Sequence, residues 1–355
     1  MNVRERICLW LSVALTAILV GCATRAPAPT EAAADTAPAP QSVLRSVAID
    51  RTLEDRILAL DPGHISADDL AATLSKAPAP HIVLLHGGLV GTDLIMRSAG
   101  RFLVGMGYPE AKIRHPGDRS WSRSPYENSA HIAGLLAWYY ERDGMRPMMI
   151  GHSQGGIQAV KVLYELAGRF DSAVPVWNPY TDAALPRTTI VDPLTGAERP
   201  VVGLTVSYVS VVGAGGSALL LPNQWNMAGK VHVIPNTVDD FTGFSVGMDL
   251  VAWSLPGVNA TTEFRHNGTA EVRSVALPSV YNHLTVPVVA ELAEEPSTRA
   301  WIDAYVPDQP TSDPPGQSAG YATLWAADVW YSVKKHWTIE AQRLIRAKRA
   351  APGSP

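Results

Sequence analysis

Gly151-His152-Ser153-Gln154-Gly155 places one serine hydroxyl between two glycines, each two residues away. A hydroxyl at the tip of a sharp turn can attack an acyl carbonyl, provided that a base takes its proton and nearby N–H groups hold the oxyanion. Such a turn needs small neighbours, because a side chain at 151 or 155 would crowd the strained backbone. The string alone is modest evidence, since at average glycine and serine usage it arises by chance in roughly one chain in ten of this length. Its flanks argue against a plain turn serine. Arg146-Pro-Met-Met-Ile150 reads as a short buried strand, and Ile157, Val160, Tyr164 and Ala167 recur at helical spacing after it. The helix would aim its free N–H groups and positive dipole end at Ser153, which makes the Gln154 amide a candidate oxyanion donor.

A second segment complements the first. His81-Ile-Val-Leu-Leu85 is an apolar strand that runs straight into His86-Gly87-Gly88-Leu89-Val90-Gly91-Thr92-Asp93, so a glycine-bearing loop lies at a strand's carboxyl end. In open α/β sheets that edge is where ligands bind. The strand, elbow and helix around Ser153, taken with this loop, resemble the α/β-hydrolases, and HGGLVGTD resembles the HG-x-x-GTD stretch of bacterial serine esterases and lipases with one residue added after the first glycine. The resemblance covers most of residues 80–290. It implies an α/β-hydrolase fold, with a mostly parallel central sheet, helices on both faces and a lid inserted after the nucleophile helix. It also implies a second oxyanion donor in the Gly88 and Leu89 turn, with His86 a structural residue of that loop.

In that family the nucleophile is followed along the chain by the acid and then by the histidine. Downstream of Ser153 the histidines are His232, His266, His283 and His336. His232 falls in an apolar strand over Lys230 to Ile234, His266 in an Arg-His-Asn-Gly turn, and His336 in a C-terminal helix. His283 follows an alternating strand, Glu271 to Leu277, and the loop Pro278-Ser-Val-Tyr-Asn282, and the resemblance makes it the base. The acid should follow the preceding strand. Taking that strand as Val231 to Ile234 points to the adjacent carboxylates Asp239 and Asp240, of which Asp240 is expected to bind the histidine and Asp239 is the alternative. The carboxylate would fix the ring's tautomer and stabilise the imidazolium.

The N-terminus bears on location. Met1 to Arg6 carries two arginines, and Ile7 to Val20 is an apolar run of fourteen residues, of signal-peptide length and short of the ~20 that span a bilayer. Leu19-Val20-Gly21-Cys22 resembles the lipobox of bacterial lipoproteins. Residues 1–21 are therefore expected to be a lipoprotein signal peptide, with Cys22 lipidated and the protein held at the bacterial cell envelope, on the outer membrane or facing the periplasm. Removal of Arg4, Glu5 and Arg6 takes the formal net charge from −4 to −5, and removes Cys8, the second of two cysteines. Residues 22–42 are rich in Ala, Pro and Thr and read as a stiff tether, reaching on the order of 60 Å at about 3.1 Å per residue.

Residues 43–355 remain for one hydrolase domain. The slight net charge argues against a nucleic-acid partner. Ser66-Ala-Asp-Asp-Leu70 begins a capped helix, Ser129 to Tyr140 reads as the helix before the nucleophile strand, and a strand is expected near Gly203 to Val212. Residues 177–200, with turn signals at Asp192-Pro and Thr195-Gly, are either the lid or a surface hairpin. A final helix from about Thr323 sets Trp330, Val333, Trp337 and Leu344 on one face, a stripe more often core than membrane-facing. No zinc-ligand spacing or phosphate-binding glycine loop is present, so no metal and no cofactor is expected. The activity implied is cleavage of carboxylic esters with lipid-like or apolar acyl groups. Acyl transfer or thioester or amide cleavage would use the same residues, and a non-catalytic envelope scaffold is the other class. Oligomeric state is left open.

Overall fold

The computed structural model describes residues 43–44, 49–170, 173–216, 219, 221–246, 263–278, 282–309, 312–315 and 322–351. Residues 1–42, to which the expected signal peptide, Cys22 and tether belong, lie outside these residues. Helices α1 (Arg51–Ala59) and α2 (Ala67–Ala72) lead into β1 (Ile82–Leu85). Then come α3 (Thr92–Met106), α4 (Ser129–Asp143), β2 (Met148–His152) and α5 (Gln154–Leu166). Four short strands follow, β3 (Trp177–Asn178), β4 (Ala183–Ala184), β5 (Thr189–Val191) and β6 (Glu198–Pro200), before β7 (Val206–Val212). The rest comprises β8 (Val233–Ile234), β9 (Val238–Val246), β10 (Arg265–His266), β11 (Glu271–Leu277), α6 (Pro296–Ala304) and α7 (Thr323–Ala350).

The central sheet has the order β1-β2-β7-β9-β11, and every pair in it is parallel. The burial patterns follow from position. β1, β2 and β7 are buried on both faces and mostly apolar, whereas β11, at the edge opposite β1, mixes exposed and half-buried residues before the buried Leu277. Successive strand residues feed two separate cores. Ile82, Leu84, Met148 and Tyr208 pack with Phe102 of α3 and Trp325, Trp330 and Trp337 of α7. Val83, Leu85, Met149 and Val209 pack with Ile132 of α4 and Ile157 and Val160 of α5. Helices therefore cover both faces, and the expected stripe of α7 is core, with Trp330, Val333, Trp337 and Leu344 all fully buried. Ser66 begins α2 with a capping box completed by Asp69. No described helix is long and apolar enough to cross a membrane.

Two elements differ from expectation. The strand expected over Lys230 to Ile234 shrinks to β8, which pairs with β10 outside the main sheet. The strand that joins the main sheet is β9, and it contains Asp239 and Asp240. Aspartate disfavours strands. Here tertiary partners override the preference, for Asp239 meets Arg146 at 2.6 Å and Asp240 meets Lys335 of α7 at 2.8 Å. Gly243 keeps its place in the same strand because a Cβ there would lie 2.0 Å from the Phe264 ring.

Residues 177–200 form two antiparallel hairpins, β3-β4 and β5-β6. Both are fastened along α4. Trp177 stacks on His131 at 3.6 Å, the buried carboxylate of Glu141 takes two bonds from Arg187 and one from the Val191 amide, and the Tyr140 hydroxyl donates to Asp192. The hairpins thus form a side wall built on a core helix.

Candidate active site

Ser153 sits where β2 ends and α5 begins, with φ 55° and ψ −124°, a left-handed conformation that a side chain rarely adopts. Such strain costs of order 1–3 kcal/mol and persists only where the surroundings over-determine it. The Ser153 amide donates to Val212 O at 2.8 Å, and its carbonyl accepts from Gly156 at 2.9 Å, so sheet and helix clamp it from both sides. The glycines follow from close approach. A Cβ on Gly151 would lie 2.6 Å from Gly155 O, one on Gly155 would lie 2.3 Å from Leu85 O and 2.4 Å from His86 O, and one on Gly156 would lie 2.8 Å from the Ala214 Cβ.

The loop after β1 lies directly over this turn. A Cβ added at Gly87 would meet the Ser153 Cβ at 3.3 Å, and one at Gly88 would overlap the Gln154 side chain. The loop's carbonyls are tied outward. The Thr92 hydroxyl lies 2.6 Å from both Gly87 O and Leu89 O, His86 Nδ1 donates to Gly87 O at 2.7 Å, and the Tyr126 hydroxyl donates to Gly88 O at 2.9 Å. In a trans peptide the N–H points opposite to the C=O. Fixing Gly87 O on Thr92 and His86 therefore aims the Gly88 amide the other way, and fixing Gly88 O on Tyr126 does the same for Leu89. Gln154, as first residue of α5, has an amide without an intrahelical acceptor. Thr92→Val, which removes the hydroxyl at the centre of this loop, is expected to lower kcat for ester hydrolysis about 10- to 100-fold with little change in KM, measured by steady-state kinetics.

His283 is brought to the same edge. β11 ends at Leu277, level with Val246 at the carboxyl end of β9, and six residues later the buried His283 lies beside the elbow. His152 Nε2 donates to the His283 carbonyl at 2.8 Å, with the two rings 5.1 Å apart.

The acid expected at Asp240 is not brought there. In the parallel register Asp240 is level with Tyr208, and Tyr208 with Met148, whereas Phe244 is level with Val212 and Val212 with His152. Four residues at about 3.3 Å each put Asp240 roughly 13 Å down the sheet from the edge that carries Ser153. Its carboxylate is occupied by Lys335 at 2.8 Å and His336 at 3.3 Å, and Asp239 pairs with Arg146, which also binds Glu340. The difference lies in the strand boundary: the main-sheet strand is β9 rather than Val231 to Ile234, so the loop that follows it begins after Val246 and not at 235.

Asp240 instead pins α7 to the sheet. Burial alone would raise its pKa, but the hydrogen bond from His336 and the charge of Lys335 outweigh it and lower the carboxyl from 3.8 to about 2. A carboxyl lowered on folding stabilises above its unfolded pKa and loses that stabilisation as pH falls through the folded value, here from about 4 to about 2. The contribution is on the order of 2 kcal/mol. Asp240→Asn is expected to lower the thermal midpoint at pH 7, to flatten its decline between pH 4 and pH 2, and to leave ester turnover at 25 °C unchanged.

A parallel sheet whose inner strand runs into a strained serine at a helix start, under a glycine loop from the next strand, is the architecture of the α/β-hydrolase fold. No protein-family model and no curated protein matches the sequence. Among solved structures, the chain is similar to RedJ with a polyethylene glycol molecule bound in its active site, at 16% identity over 62% of this chain and 92% of that one, with a TM-score of 0.30. It is also similar to an esterase of Pyrobaculum calidifontis, at 14% identity over 75% of this chain and 95% of that one, with a TM-score of 0.32.

Several supporting residues escaped the sequence reading. Thr92, Tyr126 and His152 hold backbone in place, and Asn223 meets the Gln154 side chain at 3.5 Å. Thr92 and His152 stand in the quoted GTD and GHSQG strings, whereas Tyr126 and Asn223 carried no local signal. Among the described residues no cluster of His, Cys, Asp and Glu is arranged to hold a metal.

Proposed function

We propose that the protein is a serine hydrolase that cleaves carboxylic esters of apolar acyl groups. The observation that carries this reading is the strained Ser153 at the β2–α5 junction, with Gly87 packed against its Cβ. Ser153 Oγ attacks the acyl carbonyl while His283 takes its proton, and the oxyanion is received by the amides of Gln154 and Gly88, with Leu89 the next amide of the loop. Collapse breaks the ester C–O bond, and the imidazolium returns the proton to the departing alcohol. Water, deprotonated by the same ring, then attacks the acyl-enzyme and releases the carboxylic acid and Ser153.

Most of the large apolar side chains exposed among the described residues support an apolar substrate, because they surround this edge. Leu89, Val90 and Leu94 belong to the oxyanion loop and the start of α3, Tyr126 bonds that loop, Trp225 is two residues from Asn223, and Leu284 adjoins His283. A chain-length series of p-nitrophenyl esters tests the substrate class. Turnover rising from acetate to longer acyl groups supports it, and turnover confined to acetate would contradict it.

The acid belongs, on this reading, to the chain that leaves the carboxyl end of β9, the edge shared by Ser153 and His283. Asp249 is the one aspartate between β9 and β10 in sequence, and it lies outside the described residues. Asp249→Asn is expected to lower kcat on the order of 10²- to 10⁴-fold. A turnover equal to wild type would send the search for the acid elsewhere. We also propose lipidation at Cys22 and attachment to the envelope membrane. Radioactive palmitate should label the protein but not Cys22→Ala, and equal labelling of both would overturn the anchor.

A further inference from the structure

The sequence puts a histidine immediately before the nucleophile, and the mechanism above gives that histidine nothing to do. His152 is the last residue of β2, fully buried, and 131 residues before the carbonyl that its ring contacts. A carbonyl oxygen only accepts, so Nε2 of His152 must carry a proton to make the 2.8 Å bond to His283 O.

Among its described residues, the loop bearing His283 is also bonded within itself and to α3. Asn282 caps it through the amides of Leu284, Thr285 and Val286, and the amides of Val289 and Ala290 reach Ser98 of α3. The bond from His152 is a direct link between the base's own peptide unit and the strand that carries Ser153. It also makes the two catalytic positions neighbours through one rigid path: Ser153 is covalently attached to His152, and His152 holds the main chain of His283. Displacing a base by about 1 Å can cost on the order of 100-fold in rate, so a single bond at this point has leverage out of proportion to its energy.

We propose that His152 is a positioning residue, whose Nε2–H donated to the His283 carbonyl holds the base's ring in register with the Ser153 hydroxyl. The proposal rests on the assignment of Ser153 and His283 as nucleophile and base. It extends that assignment to a residue that touches neither substrate nor reacting atoms.

Three forms of the protein separate this role from mere packing. His152→Phe keeps a planar ring and loses the donor, and His152→Gln loses the ring but keeps an N–H donor. With a p-nitrophenyl ester as probe, His152→Phe is expected to lower kcat about 10- to 100-fold with KM within about twofold, and to shift the pH at which kcat declines on the acid side. His152→Gln is expected to recover most of the lost kcat and the wild-type pH profile. Wild-type kcat and pH profile in His152→Phe would overturn the proposal, as would a His152→Gln variant no better than His152→Phe. Nitrogen-15 spectra of the wild-type protein supply a reading independent of variant folding: His152 should carry its proton on Nε2, and a ring protonated on Nδ1 alone would overturn the proposal. A wild-type protein without esterase activity would instead overturn the nucleophile assignment, a different outcome that the kinetics report directly.

Discussion

Alanine at Ser153 is expected to lower kcat on an activated ester by about 10⁴- to 10⁶-fold, alanine at His283 to do nearly the same, and the double variant to be no worse than the poorer single one. On the proposed mechanism the two residues act as one device. Without the hydroxyl there is no atom to attack, and without the imidazole the hydroxyl keeps its proton and attacks as a neutral alcohol. Neither side chain is needed for folding to the same degree. Ser153 pays for its strained backbone through the amide bond to Val212 and the carbonyl bond to Gly156, which alanine retains. His283 is bonded to the elbow through its carbonyl, which alanine also retains. Thermal midpoints should therefore change far less than rates. Rate losses that simply add in the double variant would mean that the two side chains work independently, against the nucleophile–base assignment.

Gly155→Ala is expected to have the largest effect on the fold near the site. The added Cβ would stand 2.3 Å from Leu85 O, 2.4 Å from His86 O and 2.6 Å from the Leu85 carbonyl carbon. All three are backbone atoms at the end of β1, which cannot rotate aside as a side chain could. The elbow or the oxyanion loop must then move. Moving the elbow breaks the contacts of α5 with the sheet, and moving the loop takes the Gly88 amide away from Ser153. Destabilisation on the order of 4 kcal/mol or more, with kcat reduced even in the folded fraction, is the expected result by thermal melting and kinetics. Gly91→Ala offers the contrast. A Cβ at Gly91 meets nothing within 4 Å, and only the positive φ of 86° opposes it, so a loss of about 1 kcal/mol and retained activity are expected. Equal effects at the two positions would contradict the packing argument.

The sequence was most legible where local pattern and tertiary role agree. β1, β2 and β7 are short, mostly apolar runs because both of their faces are covered, so the apolar pattern located them within about three residues. The elbow announced itself because close approach demands glycine at fixed offsets from Ser153, and composition records that demand directly. The place of His283 beside the elbow could be reached by order along the chain and by the strand before it. The surroundings of the two aspartates could not. Asp239 and Asp240 look like a turn in isolation, and only Arg146, Lys335 and His336, brought in from distant segments, make them tolerable in a strand. The polar face of α7 was hidden for the same reason, since the fully buried Asp328 and Glu340 pair with Arg273 and Arg146 from distant segments. The link between His152 and His283 joins residues 131 apart, and no local pattern encodes it.

Covalent trapping tests whether Ser153 is an activated nucleophile. The folded protein is incubated with a fluorophosphonate, its intact mass is measured, and the modified peptide is mapped. One phosphonyl adduct per chain is expected, on Ser153, absent from Ser153→Ala and much slower to form in His283→Ala. Folded wild-type protein that takes no adduct, or that takes it at another residue with Ser153 unmodified, would contradict it.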